Sequence, residues 1–239
     1  MINSAAQKVV DAYKGFLADL KIAFGVALDM KSTDGVTLIR RFVSDTEALK
    51  RSRLRIVSEE VASSARAVAY YGIAQTASER LDRVEVEDVM SHADGLAESL
   101  VSALSACMQR DIEHCASVIR RMSMQVMLSR GAVSLIRARM GQFASLSFEQ
   151  RDAIGRRWKS EDYVRSMTRM TFILTYADSA VIAAHLQGIK RLVIVNPEST
   201  FDGTVFSVSD ELDMPDYMSL RDTVFHPNST ATIAVWEGA

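Results

Sequence analysis

The chain has 239 residues, of which 48% are hydrophobic and 24% charged, with a formal net charge of −2. That length can bury a core without disulfide staples, and that composition excludes a disordered chain. No apolar run approaches the roughly 18 residues that a membrane span needs, and the near-neutral balance gives no general support to nucleic-acid binding.

At the start of the chain, Asp11, Lys14, Asp19 and Lys21 interrupt any apolar segment of a secretory leader, so synthesis in the cytoplasm is expected. Proline placement marks the main boundary. Pro197, Pro215 and Pro227 all fall in the last 43 residues, and their absence before that permits very long helices. Helices are expected at about 3–30, 36–80, 84–144, 147–158 and 161–187. Ser32-Thr33-Asp34-Gly35 reads as the first loop. Leu54, Val57, Val61, Ala65, Val68 and Tyr71 recur at steps of three or four in the second helix. Asp82 with Glu85 has the spacing of a capping box, which satisfies free amides at a helix start; Ser147 with Gln150 has the same form. In the third helix a stripe runs Ala97, Val101, Leu104, Met108, Ile112, Cys115, Ile119, Met122, Val126. Its mean step near 3.6 is that of one face of a straight helix rather than a coiled-coil seam. Gly72, Gly131 and Gly141 are candidate kink positions, and Ser160 before Glu161 and Asp162 starts a further helix.

After Gly188 the pattern changes. Arg191 to Val195 is a short β-rich run, Asp202-Gly203 is a turn signal before a second run from Thr204 to Val208, and Thr230 to Trp236 reads as a last strand. Residues 209–229 read mostly as loop. The expected fold class is mainly α: a long-helix bundle over residues 1–160, followed by a small C-terminal α+β unit over 161–239.

Charge is unevenly distributed. Residues 197–239 hold eight acids and one base, Arg221, for −7, which leaves +5 on residues 1–196. From His114 to Phe148 there is no acid, while Arg120, Arg121, Arg130, Arg137 and Arg139 are present; Arg151, Arg156, Arg157 and Lys159 follow. Such a stretch is either a solvated face paired with acidic neighbours, the tail among them, or a contact for nucleic acid or an acidic protein. The twelve methionines, Met122, Met124, Met127, Met140, Met167 and Met170 among them, fill core gaps or make adaptable subunit contacts.

Sequence signals for chemistry are sparse. Cys107 and Cys115, about 12 Å apart along a helix, are too distant for a disulfide and read as core residues. His92, His114, His185 and His226 do not form a zinc-ligand spacing, and no phosphate loop or nucleophile elbow is present. No metal or cofactor is expected. Phe225-His226-Pro227-Asn228-Ser229 has the chemistry of a turn.

The order of features in the tail is a helix (Met167 to Leu186), Gln187-Gly188-Ile189, a short β run, Asp202-Gly203 with Val205-Phe206, an acidic loop with proline, and His226-Pro227-Asn228 before a last strand. It resembles the C-terminal region of the tailed-phage head-morphogenesis or minor head protein family. The resemblance rests on Asp202, Gly203, His226 and Pro227; Ser229 and Ala231 stand where that family carries cysteines, and Thr230 at its arginine. It implies a non-catalytic virion protein, made in the host cytoplasm and acting beside portal, capsid or connector proteins in head assembly or genome delivery, as a homo-oligomer. The alternatives are an internal or ejected virion protein that contacts DNA through its basic helix, and an enzyme using His226 with Asp222 or Asp213.

Overall fold

The computed structural model describes residues 1–29, 35–77, 81–128, 147–209 and 214–238. Three long helices come first: α1 (Ile2–Asp29), α2 (Gly35–Thr76) and α3 (Arg83–Leu128). A two-stranded antiparallel hairpin follows, β1 (Glu149–Arg151) with β2 (Arg157–Lys159), and then α4 (Ser160–Leu186). The chain continues through β3 (Arg191–Val195), β4 (Val205–Ser207), α5 (Tyr217–Val224) and β5 (Thr232–Val235). The last three strands form one antiparallel sheet in the order β4-β3-β5. The chain is therefore mainly α, with long helices ahead of a small C-terminal α+β region.

Apolar spacing explains the helices. In α3, Ala97, Leu104, Met108, Ile112, Cys115, Ile119 and Met122 are all buried, and in α2 so are Val57, Val61, Ala65 and Val68. In α1 the buried set Val9, Tyr13, Phe16, Leu20, Phe24 and Ala27 keeps the same step. Full burial of each such large side chain contributes roughly 1.5–3 kcal/mol, which outweighs the modest helix propensity of the exposed positions. The start of α3 is fixed by a reciprocal cap: Glu85 N–H donates to Asp82 Oδ1 at 2.9 Å, and Asp82 N–H to Glu85 Oε2 at 2.7 Å. At the start of α4, Glu161 and Asp162 complement the helix dipole.

Two expected elements differ. Residues 147–158 do not form a helix. Asp152 Oδ1 accepts the N–H groups of Ile154 (3.1 Å) and Arg156 (2.8 Å), and Gly155 takes a φ of 81°, so the chain reverses into a hairpin. Gln150, expected in a capping box with Ser147, is instead the buried middle residue of β1. Within the expected loop 209–229, α5 forms because Asp216 caps it, accepting Ser219 N–H at 2.7 Å. The helix α2 runs through Gly72. A Cβ there would lie 2.4 Å from the Tyr176 carbonyl oxygen, so the glycine serves a close approach to α4. Gly131, Gly141 and the expected continuation of the third helix to 144 lie outside the described residues.

The chain divides into two compact units, and each of α1 to α4 contributes to both. Unit 1 holds residues 1–9, 58–100 and 165–239; unit 2 holds 10–57 and 101–164. Residues 165–239 share their unit with 1–9 and 58–100. The physical reason is that α4 and the small sheet bury their apolar faces on α2 and on each other. Thr76 Oγ1 donates to the Ala180 carbonyl at 2.7 Å, the Tyr71 and Tyr176 rings lie 5.4 Å apart, and Tyr176 Oη accepts Ile233 N–H of β5 at 3.0 Å. Burial raises the Tyr176 hydroxyl to about 12. The core of unit 2 gathers Tyr13, Phe16, Leu20 and Phe24 with Phe42, Leu104, Met108, Ile112 and Phe148. Among the described residues, no helix is long and apolar enough to cross a membrane.

Candidate functional site

The tail motif residues lie in two turns of the small sheet, Asp202 and Gly203 between β3 and β4, and His226 and Pro227 ahead of β5. Asp202 Oδ1 accepts Asn196 N–H at 2.7 Å, and Gly203, with a φ of 73°, donates its N–H to the Ile194 carbonyl at 2.9 Å. This closes the β3–β4 connection. On the other side, exposed His226 turns the chain toward β5: its carbonyl accepts Ser229 N–H at 2.8 Å, and its Nδ1 accepts Asn228 N–H at 3.2 Å. Pro227 is half-buried in this turn. Thr230 Oγ1 donates to Asn196 Oδ1 at 3.2 Å, so Asn196 joins the Asp202-Gly203 turn to the segment after His226-Pro227. Asp222, a suggested carboxylate partner of His226, accepts from Arg221 Nη1 at 3.2 Å; Asp213 lies outside the described residues.

A second constellation in unit 1 centres on Asp178, which sequence reading missed. It is a lone acid within the apolar run of α4 and is 5% exposed. Arg221 grips it with both arms of the guanidinium, Nε to Oδ1 at 2.8 Å and Nη2 to Oδ2 at 2.7 Å. Tyr217 donates its hydroxyl to Oδ1, and His92 of α3 lies with Nε2 2.8 Å from Oδ2, which selects the tautomer carrying its proton on Nε2. Burial pushes the Asp178 carboxyl up, but the bonds from Arg221, Tyr217 and His92 outweigh it and hold the group below the usual carboxylate range. Four donors occupy the two oxygens, so the carboxylate anchors α5 to α4 and α3 and has no free lone pair for proton transfer.

Unit 2 has a counterpart in Asp111, which lies on the buried face of α3 and is 1% exposed. Its donors are all neutral: Tyr13 Oη from α1 at 2.7 Å, Gln150 Nε2 from β1 at 2.8 Å, and Ser160 Oγ from α4 at 2.8 Å. Arg110 points past it, donating Nε to Gln150 Oε1 at 2.6 Å and Nη2 to Cys107 Sγ at 3.2 Å. Desolvation dominates, only partly offset by those hydrogen bonds, and raises the Asp111 carboxyl to about 6. Burial and the neighbouring Asp111 raise the Cys115 thiol to about 12, and both cysteines are free and buried, as core residues should be.

The basic stretch is divided. Arg120 and Arg121 are exposed on α3, whereas Arg130, Arg137 and Arg139 lie outside the described residues. Arg151, Arg157 and Lys159 are exposed on the outer face of the hairpin. Arg156 is bound to Asp152 at 2.7 Å and lies over the Trp158 ring, whose Nε1 donates to the same carboxylate. Those bonds outweigh burial and lower Asp152 to about 2. Met122 is buried and Met124 is exposed, while Met167 and Met170 are half-buried. Among the described residues, no group of three or more His, Cys, Asp or Glu side chains is placed to hold a metal ion. Comparison with protein-family models, curated proteins and solved structures finds no match.

Proposed function

We propose that this protein is a non-catalytic structural or assembly component of a tailed-phage particle, a minor head or portal-associated protein acting in head assembly or genome delivery. The observation that carries the reading is the tail geometry. The Asp202-Gly203 turn, which carries part of the family resemblance, is linked through Asn196 to Thr230, three residues after Pro227, at one end of a three-stranded sheet. The region runs α4, β3, the Asp202-Gly203 turn, β4, α5, the His226-Pro227 turn and β5, with α5 inside the stretch that the resemblance takes as an acidic loop. Two further features support an assembly role. The interior carboxylates Asp178 and Asp111 are committed to holding elements together. Charged side chains such as Arg120, Arg121, Arg151 and Arg157 are left on the surface, where partners are met.

The test is to purify particles made by the genome that encodes the chain, by density gradient, and to probe the fractions for it. The reading expects the chain to travel with particles and to be lost from them when portal assembly is blocked. Recovery only in the soluble fraction contradicts it.

A further inference from the structure

The two compact units divide the charge more sharply than the sequence halves do. Over its residue ranges unit 2 carries 19 Lys and Arg against 12 Asp and Glu, a formal +7; unit 1 carries 9 against 18, a formal −9. We propose that copies of this chain associate head to tail, with the basic face of unit 2 on one copy docking on the acidic surface of unit 1 on the next. The outer face of the β1–β2 hairpin is the centre of the basic side.

The hairpin supplies the structural argument. Its register sets Arg151 directly opposite Arg157, and Glu149 opposite Lys159. Like charges facing directly across two strands repel. The nearest relief for Arg157 is Glu149 at 3.9 Å, beyond hydrogen-bond reach. Among the described residues, no carboxylate lies within ion-pair distance of Arg151 or Lys159. Meanwhile Gln150, on the opposite face, is tied to Asp111, so the hairpin is held in place while its cations point outward. A fixed surface that sets Arg151, Arg157 and Lys159 against the single carboxylate of Glu149 is completed by an anionic partner.

That partner is present on every copy. In unit 1, Asp88 and Glu98 are exposed along the first half of α3 together with Glu87, which lies 3.8 Å from Arg83, and the Asp222 side chain on α5 is 80% exposed while it keeps its contact to Arg221. A nucleic acid fits less well, because each chain that brought the hairpin to a phosphate backbone would also bring a unit of charge −9. The two surfaces differ, so the interface is heterologous and propagates into a ring or filament according to its rotation. The inference stands on charge placement and register, and it holds or fails independently of the phage reading.

The experiment is sedimentation velocity of the full chain over a concentration series. Salt is raised from about 20 mM to about 500 mM, which shortens the screening length from roughly 20 Å to roughly 4 Å. The wild-type chain is expected to oligomerise at low salt and to weaken by at least about tenfold at high salt. The charge-reversed R151E/R157E/K159E chain, and the milder R151Q/R157Q chain, are expected to remain monomeric with unchanged circular dichroism. Mixing the reversed chain with an E87K/D88K chain should restore association. A wild-type chain monomeric at low salt overturns the proposal, as does association insensitive to salt or to either hairpin variant. A monomeric chain that binds duplex DNA through the hairpin with a steep salt dependence also overturns it, assigning the face to nucleic acid instead.

Discussion

Among the described residues each unit buries one aspartate, and the two are held by opposite electrostatics. In unit 1, Asp178 is met by the Arg221 guanidinium, with Tyr217 and His92 completing the set. In unit 2, Asp111 is met only by the neutral groups of Tyr13, Gln150 and Ser160; Arg110 turns its fork to Gln150 and Cys107 instead. Both are desolvated, yet a directly bonded cation lowers one carboxyl and its absence leaves the other raised to about 6. Burial alone therefore does not set the behaviour of an interior acid; the charge of its donors does. The two clusters also do similar mechanical work, since one fastens α5 and the other fastens the hairpin, each a short element with little apolar area of its own.

The linkage signs follow from those directions. Asp178, lowered in the folded chain, contributes stability that is present above the ordinary aspartate value of 3.8 and is lost as pH falls through its folded value. Asp111, raised in the folded chain, contributes in the other sense: its stabilisation is complete below 3.8 and is lost as pH rises through about 6. Acid should loosen the first cluster and tighten the second.

The largest effect is expected at Asp178. Its replacement by alanine leaves the Arg221 guanidinium with only the exposed Asp222 and should cost about 3–5 kcal/mol in urea unfolding, whereas Tyr217→Phe should cost only about 1–2 kcal/mol. Gly72→Ala breaks unit 1 without touching charge. The added Cβ overlaps the Tyr176 carbonyl, and a loss of about 2–3 kcal/mol is expected in the same assay. Asp111→Asn sharpens the comparison from the other side. A rise of roughly two pKa units corresponds to about 2–3 kcal/mol, so the wild-type chain should gain that much from this group between pH 7 and about pH 4, and the variant should not. Unfolding midpoints across that pH range for the two chains measure the difference. The smallest effect is the cap: Asp82→Ala should cost about 1 kcal/mol and fray the first turn of α3, visible as faster amide exchange at Glu85.

Much of the fold was readable because it rests on local pattern. The α3 stripe from Ala97 to Met122, the Asp82–Glu85 cap and the Asp202-Gly203 turn each need only neighbours in the chain. The hairpin was misread because Ser147 and Gln150 imitate a capping box, while β1 and β2 are three residues each and too short to show alternation. The eight-residue α5 was passed over as loop, although Asp216 after Pro215 is a start signal. The polar clusters required contacts separated by 86 residues for His92 and Asp178 and by 98 for Tyr13 and Asp111, which no spacing rule reveals. A partial signal was present in each case: Asp178 interrupts an apolar helical run, and Asp111 falls on the apolar face between Met108 and Cys115. Gly72 carried a signal too, but a glycine in a helix reads equally as a kink or as a close approach until the neighbouring carbonyl is known.

The most direct test uses α3, which contributes His92 to one cluster and Asp111 to the other. Amide hydrogen exchange, corrected for intrinsic rates, is followed along this helix and its partners from pH 7 to below pH 4. The account predicts that protection around Asp111, Gln150 and Ser160 rises as pH falls through about 6, and that protection around His92, Asp178 and α5 falls only below about 4. A uniform change along α3, or a loss of protection around Asp111 near pH 6, would contradict it.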